Sequence, residues 1–158
     1  GLPPAPDNAK DWPLFKPLLA SASLRPAPKD IAFTRDAFRD LLAIRASSTL
    51  FRLHGADEVA QRLRFFNVGP QQEPTVIAAH LDGRAYPGAG FTSIRYFINV
   101  DKAAHVVVDD AARGKTVRLH PVHGAAAAGD KRAAEARFDA ATGGFSIPPR
   151  TAVVFVED

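Results

Sequence analysis

The spacing of apolar residues changes near residue 55, and this change constrains the fold more than any other feature. Before it, KDIAFTRDAFRDLLAIR carries apolar side chains at the intervals of an α-helical face. After it, short segments alternate with a period of two and are separated by turns such as Asp82-Gly83 and Arg113-Gly114. The sequence therefore predicts a mainly β fold: an antiparallel, Greek-key-like β-sandwich preceded by one amphipathic α-helix and a proline-rich arm.

The predicted helix has more than one apolar side. Pro28 and Asp30 suit its first turn, and Arg45 suits its last. One stripe comprises Ile31, Phe38, Leu41 and Leu42, and a second side comprises Phe33, Ala37 and Ile44. A surface helix normally needs only one apolar face, so this helix is predicted to have two packing partners.

Two later segments define the predicted core. SIRYFINV places Ile94, Tyr96, Ile98 and Val100 on one face of a strand. RTAVVFVE is apolar on both faces, which predicts a central strand that is covered on both sides. We expect Phe155 of this strand, and Leu119, to be core residues.

The first 28 residues contain seven prolines, which predict loop and short helical turns. Five apolar residues in this arm are too many for a free linker and are expected to pack on something: Trp12, Leu14, Phe15, Leu18 and Leu19.

Composition excludes several classes of function. The net charge is +3, but the basic residues are scattered, which argues against a nucleic-acid surface. There is no cysteine, so disulfides and thiolate metal sites are excluded. No apolar run approaches the roughly 20 residues that span a bilayer, so no membrane partner is predicted.

The sequence gives little evidence for catalytic groups. The adjacent carboxylates Asp57-Glu58, Asp109-Asp110 and Glu157-Asp158 flank turns or the terminus, where we expect solvated charges rather than an acid/base pair. His120 and His123 lie three residues apart, but a metal would need a third ligand such as His105 or Asp109. No GxSxG elbow or P-loop occurs, and we predict no metal and no cofactor.

A glucan-binding surface is the remaining local candidate. Tyr86 and Phe91 lie in one loop, RAYPGAGF, which could present an aromatic ring to a sugar. The competing interpretation, which we favour, is that Phe91 covers the core at the start of the next strand.

Several blocks of the chain resemble bacterial pullulanases, the starch-debranching enzymes of the α-amylase superfamily. GLPPAPDNAKDWPLFKP is similar to the family's GLPPASDN followed by NWPLIKP, and FRDLLAIRASSTLFRL is similar to FLDLLKIRYSSPLFRL. RLRFFNVGPQQEPTVIAAHLDG and GGFSIPPRTAVVFVE resemble later blocks in the same order. The resemblance covers essentially the whole chain.

The resemblance implies the C-terminal region of an α-1,6-glucosidase. Residues 1–54 would be the tail of its catalytic (β/α)₈ barrel, and residues 55–158 would be the β-sandwich that follows. The family's catalytic carboxylates lie upstream, so we predict no catalytic residue here and an inactive fragment. Asp7 and Asn8 match a loop near the rim of the substrate cleft, and they are the substrate-loop candidates that the resemblance supplies.

The leading hypothesis is a non-catalytic domain that covers and stabilises the barrel; the alternative is a module that binds α-glucan through Tyr86 or Phe91. The expected partners are the upstream barrel, the α-glucan substrate of the parent enzyme, and a second copy of the isolated fragment. A shortened acidic loop near Phe91 argues against calcium. The sequence assigns no compartment, and the resemblance is compatible with a secreted or cell-surface bacterial parent.

Overall fold

The computed structural model describes all 158 residues, which divide into two compact units, Gly1–Arg35 and Asp36–Asp158. The first unit contains the short helices α1 (Ala5–Asn8) and α2 (Trp12–Ala20) and the beginning of α3 (Pro28–Ala46). Prolines in the first turns of α1 and α2 explain why the arm is more helical than expected, because an N–H is not needed there. The indole Nε1 of Trp12 donates to the carbonyl of Pro3 at 3.0 Å.

The predicted amphipathic helix is confirmed as α3. Its first turn is tied down by Asp30, whose Oδ2 accepts from the backbone N–H of Ala27 at 2.8 Å. It ends at Ala46, immediately before the serine pair that the sequence suggested as its end. Of its residues only Ile44 is buried.

The second unit is an antiparallel β-sandwich, which confirms the predicted fold class. Its strands are β1 (Leu63–Phe65), β2 (Val76–Asp82), β3 (Ser93–Asn99), β4 (His105–Val108), β5 (Arg118–Leu119), β6 (Arg137–Asp139), β7 (Gly144–Ile147) and β8 (Thr151–Glu157). One sheet has the order β1-β2-β3-β8-β5 and the other β4-β7-β6. All pairs are antiparallel.

The second unit also contains two short helices that the sequence pattern does not predict. They are α4 (Ala56–Arg62) and α5 (Pro121–Gly124). α4 occupies the segment where strand alternation was expected to begin. Asp57 and Glu58 in its first turn and Arg62 in its last complement the helix dipole, which favours a helix here.

The larger sheet has an apolar core on each face, although Ile77 and Ile98 on its outer face are 48% and 38% exposed. Between the sheets, Phe97, Phe145 and Phe155 form an aromatic core in which the rings of Phe145 and Phe155 lie 5.1 Å apart. On the outer face, Val154 and Val156 pack with Ile44 of α3 and with other apolar residues. β8 contributes to both cores, so the prediction of a central strand covered on both sides is confirmed.

Two details of the core differ from the prediction. In β3 the predicted face, which includes Ile94 and Ile98, is the outer one, whereas Arg95 and Phe97 lie between the sheets. Ile94 is fully buried on the outer face, but Ile98 is 38% exposed. Phe155 is fully buried as predicted, but Leu119 is only half-buried at the edge of the aromatic core. β5 is an edge strand of two residues, which explains the partial exposure. None of the helices combines the length and apolarity that a bilayer crossing requires.

Candidate functional site

The loop between β2 and β3 holds the two candidate glucan platforms, Tyr86 and Phe91. The loop is tightly folded: Gly83 accepts from the Tyr86 N–H at 3.1 Å, and a Cβ at Gly83 would collide with the Phe91 carbonyl. Gly88 and Gly90 have φ values of 71° and 72°, a region that favours glycine. The backbone therefore fixes where both rings lie.

Neither ring is a free stacking surface. The guanidinium of Arg62 lies 4.5 Å from the Tyr86 ring centroid, and the Tyr86 hydroxyl donates to Glu58 at 3.1 Å. Burial and this hydrogen bond raise the pKa of Tyr86. On the face that Arg62 covers, a sugar could stack only by displacing this arginine.

Phe91 is similarly engaged. Its ring meets that of His120 edge to face at 5.6 Å, and the guanidinium of Arg118 lies 5.9 Å from its centroid. Both Tyr86 and Phe91 are half-buried against the outer core of the larger sheet. The structure thus favours a packing role for the two rings over an exposed platform.

Asp7 and Asn8 lie at the end of α1. The Asp7 side chain is exposed, and the Asn8 amide donates to the Pro4 carbonyl at 3.1 Å. This bond closes one helical turn. Asp7 and Asn8 belong to the first compact unit, and Tyr86 and Phe91 belong to the second.

The adjacent carboxylates form structural contacts. Glu58 accepts from the His54 backbone N–H at 2.8 Å. Asp158 accepts two hydrogen bonds from Arg118, at 2.7 and 3.0 Å. The expectation that Asp109 is a solvated charge is wrong, because only 3% of its side chain is exposed and it pairs with the buried Arg95. The pairing with a buried cation explains how this carboxylate is accommodated.

The two histidines of HPVH are buried and are hydrogen-bonded to protein groups. His120 Nδ1 accepts from the Val122 N–H, so its Nε2 carries the proton and donates to Ser47 Oγ at 3.1 Å. His123 Nε2 accepts from the backbone N–H of Val154 at 3.2 Å. The pair therefore connects the end of α3 with β8. No group of three or more His, Asp or Glu side chains is placed to hold a metal ion.

The second unit contains an apolar groove. A groove of about 480 Å³ runs between the last turns of α3 and the outer face of the larger sheet, and we call it the sheet groove. Val59 and Ile98 on its walls are 40% and 38% exposed, and Arg45 and Arg52 also line it. The other lining residues are Leu41, Ile44, Leu50, Phe51, Leu53, Leu63, Leu81, Tyr96, Phe97, Ala152, Val153 and Val154.

Exposed apolar side chains continue along the helices. In the second unit Phe38 and Leu42 of α3 are 61% and 49% exposed. In the first unit the exposed apolar residues are Leu14, Phe15, Leu18, Leu19, Leu24, Ile31 and Phe33. Large apolar patches of this kind on a folded domain mark surfaces that bind another protein surface.

Comparison with known proteins shows the family to which this chain belongs. Residues 1–158 match the family model described as alpha-1,6-glucosidases, pullulanase-type, C-terminal. The chain belongs to this pullulanase-type C-terminal family. The predicted family resemblance is therefore confirmed over the whole chain.

The relatives of this pullulanase-type domain are longer proteins. The chain is 37% identical to Pullulanase 1, chloroplastic, of Arabidopsis thaliana over 164 residues, covering 99% of the chain but 17% of that protein. It spans less than a fifth of the length of this curated relative. The activity and substrates of a complete enzyme therefore enter below as proposals.

Solved pullulanases share its fold. Apo pullulanase from Klebsiella pneumoniae is 20% identical with a TM-score of 0.79, covering 99% of this chain and 17% of that one. PulA from Klebsiella oxytoca is 20% identical with a TM-score of 0.70, covering 83% and 12%. At this level of identity the likeness concerns the fold alone.

Proposed function

We propose that this pullulanase-type C-terminal domain stabilises the catalytic barrel of a debranching enzyme by covering part of its surface. The parent enzyme hydrolyses α-1,6-glucosidic bonds in starch, pullulan or glycogen. In this proposal residues 1–54 are the tail of the barrel and residues 55–158 are the sandwich. Asp7 and Asn8, at the end of α1, then lie near the substrate cleft.

The observation that carries this proposal is the uncovered apolar surface. The sheet groove and the exposed side chains of α3 are too apolar for a surface that meets only water. The last turns of α3 already pack onto the sandwich through Ile44. A neighbouring barrel would supply the missing cover, and burial of apolar area would stabilise both parts.

The glucan-module alternative receives less support. Its two platform residues are half-buried, and each ring has a guanidinium above it. Carbohydrate stacking on the covered faces would have to displace Arg62 or Arg118. No other observation favours a sugar site.

The test compares the complete enzyme with a version that ends before the sandwich. We expect the truncated enzyme to lose thermal stability and to aggregate, and the separate domain to release no reducing sugar from pullulan. A truncated barrel with unchanged melting temperature and activity would contradict the stabilising role. Retardation of the separate domain in an amylose gel, lost on Tyr86→Ala or Phe91→Ala, would instead support the glucan module.

A further inference from the structure

The smaller sheet has an edge strand, β4, that lacks the usual protection against pairing with another strand. Its outward side chains, Val106 and Val108, are apolar and are 66% and 48% exposed. The opposite edge of this sheet, β6, presents the charged Arg137 and Asp139, and the edge strand β5 of the larger sheet is only two residues long. Short length, charges and proline are the means by which edge strands avoid pairing. β4 has none of the three and is therefore suited to pair with a further strand.

The free backbone groups of β4 belong to Val106 and Val108. One step beyond the β4–β7 ladder, the N–H of Asp109 donates to the carbonyl of Gly143 at 3.0 Å. Hydrogen-bonded and non-hydrogen-bonded pairs alternate in an antiparallel ladder, so within β4 it is Val107 that exchanges hydrogen bonds with β7. The N–H and C=O groups of Val106 and Val108 therefore point away from β7, and no backbone hydrogen bond joins them to another part of the chain.

Open space lies beside this edge. A groove of about 410 Å³, which we call the edge groove, separates β4 from the loop between β1 and β2. Asn67 braces that loop, because its Nδ2 donates to the Glu73 carbonyl at 2.9 Å and its Oδ1 accepts from the Glu73 N–H at 2.8 Å. No backbone hydrogen bond joins the loop to β4, so the edge of the strand stays accessible.

We propose that β4 pairs with β4 of a second copy of this chain, in an antiparallel, two-fold symmetric contact that joins two smaller sheets into one. Centred on Val107, this register puts Val106 opposite the partner's Val108 and Val108 opposite the partner's Val106. Each of these two pairs exchanges two backbone hydrogen bonds, so the free N–H and C=O groups of both copies are satisfied. A surface that complements itself about a two-fold axis is the surface that a symmetric dimer requires.

The side chains favour a second copy over an unrelated strand. Val106 and Val108 of the two copies lie opposite each other on the outer face of the joined sheet and form cross-strand valine pairs. The two ends of the strand also differ in charge. Lys102, before β4, is exposed, and Asp110, after β4, is 80% exposed although it pairs with Arg113 at 2.9 Å. Antiparallel pairing brings Lys102 of one copy diagonally across from the partner's Asp110, a separation that a lysine side chain spans.

This contact is separate from the covering role proposed above. It uses the edge of the smaller sheet, whereas the sheet groove lies on the outer face of the larger one. A dimer through β4 therefore leaves the apolar surface of α3 and the sheet groove available to the barrel. Each proposal can fail without the other.

The first test measures the sedimentation of the complete enzyme over a range of concentrations. Val106→Pro removes a backbone donor that has no partner within the chain, and an edge strand accepts proline at such a position, so the melting temperature should stay close to that of wild type. The two-fold axis removes two hydrogen bonds at once, and the dissociation constant of the dimer should rise about thirty-fold. The control Val106→Ile keeps the N–H and the apolar side chain and should leave the constant unchanged. A monomeric wild type at every concentration, or equal constants for the two variants, would overturn the proposal.

An exchange of charges tests the register. Lys102→Glu alone should weaken the dimer, because it places a carboxylate near the partner's Asp110, and Asp110→Lys alone should weaken it for the converse reason. The double variant restores opposite charges and should recover the wild-type dissociation constant. Lys131→Glu, at an exposed position outside β4 and the edge groove, is the control for net charge and should have no effect. A double variant as weak as the single ones would overturn this register.

A photo-crosslinking amino acid at position 108, in a mixture of light and isotope-labelled complete enzyme, identifies the occupant. Mass spectrometry should show a crosslink between two copies that ends in β4. Position 65 on β1 is the matched control, since Phe65 is 49% exposed and Val108 is 48% exposed, and it should give no crosslink between copies. A crosslink from position 108 to α3 of another copy would show a dimer through a different surface. A crosslink within one chain would show that another segment covers β4. Either result, or the absence of any crosslink, would overturn the proposal.

Discussion

Arg95 and Asp109 form an ion pair between the two sheets, in which Nε donates to Oδ2 at 2.8 Å and both side chains are almost fully enclosed. Burial alone would raise the pKa of Asp109. Hydrogen bonds from Arg95 and Arg64 outweigh that effect and lower it. Asp109 also accepts from the Ala111 N–H at 3.3 Å, so one carboxylate joins β3, β1 and the turn after β4.

Removing that carboxylate should leave the buried Arg95 with only the longer ion pair to Glu157, at 3.6 Å. We expect Asp109→Ala to lower the free energy of unfolding by about 3–5 kcal/mol, as breaking one side of a buried pair does. Urea denaturation measures this, with the exposed neighbour Asp110→Ala as control, expected within about 0.5 kcal/mol of wild type. Adding Arg95→Met should recover part of the loss. A double variant less stable than Asp109→Ala would contradict the assignment.

The two HPVH histidines should make the sandwich sensitive to acid. Burial lowers the pKa of both, that of His120 to about 4. Because the folded pKa is below the unfolded value of about 6.5, stability is complete above pH 6.5 and is lost as pH falls toward 4. For His120 the difference corresponds to on the order of 3 kcal/mol.

Urea midpoints between pH 7.5 and 4.5 measure this effect. The double variant His120→Asn with His123→Gln should show a shallower loss than wild type over that range. The comparison is needed because burial also lowers the pKa of His80, to about 4, and His80 is present in both proteins. If the urea midpoints of wild type and variant fell in parallel with pH, the pKa values of the HPVH histidines would not differ between the folded and unfolded states.

His105 should have the opposite pH dependence. Its Nε2 lies 2.9 Å from Asp101 Oδ2 and its Nδ1 lies 3.0 Å from Glu73 Oε2. The hydrogen bond to Asp101, followed by the charge of Glu73, raises the pKa of His105. Its contribution is therefore present below about pH 6.5 and is lost as pH rises through the folded pKa.

NMR titration of the His105 ring protons should give a midpoint above that of a model histidine. His105→Asn should destabilise the domain at pH 6 and have little effect at pH 9. The control His54→Asn, at an exposed position, should leave the free energy of unfolding unchanged at both pH values. A depressed midpoint, or equal destabilisation at both pH values, would show that the two carboxylates do not act on the ring.

The aromatic core gives the largest expected change in stability from a truncation. Phe155 is 1% exposed, and its ring meets those of Phe97 at 6.0 Å and Phe145 at 5.1 Å. Phe155→Ala should cost about 3–5 kcal/mol through lost burial and the cavity that remains. Phe65→Ala, at a site that is 49% exposed, is the control. Similar melting temperatures for the two variants would place Phe155 outside the core.

Much of the fold could be predicted because its signals are local. The helix over Pro28–Ala46 and the central strand RTAVVFVE are each visible in the spacing of apolar residues. The burial of Arg95 could not be predicted, because the alternation in β3 indicates two faces without telling which one meets the other sheet. Its partner Asp109 is 14 residues away in sequence, and only the folded β3–β4 connection brings them together.

The candidate site was predicted less well for a related reason. Tyr86 and Phe91 were identified as rings in a loop, but the arginines that cover them come from α4 and β5. Such cover depends on tertiary packing and leaves no pattern near the rings themselves. The apolar excess on α3 was visible in the sequence, whereas the sheet groove beside it is formed by six separate segments.

β8 follows every other strand in the chain, yet it lies between β3 and β5, and Ser93 pairs with Glu157 across 64 residues. During synthesis, therefore, the edge of β3 stays unpaired until this strand has left the ribosome. A reading frame that stops before Thr151 would yield a chain whose two cores are both open. Such an edge invites pairing with other chains, so truncated products should be aggregation-prone and rapidly degraded.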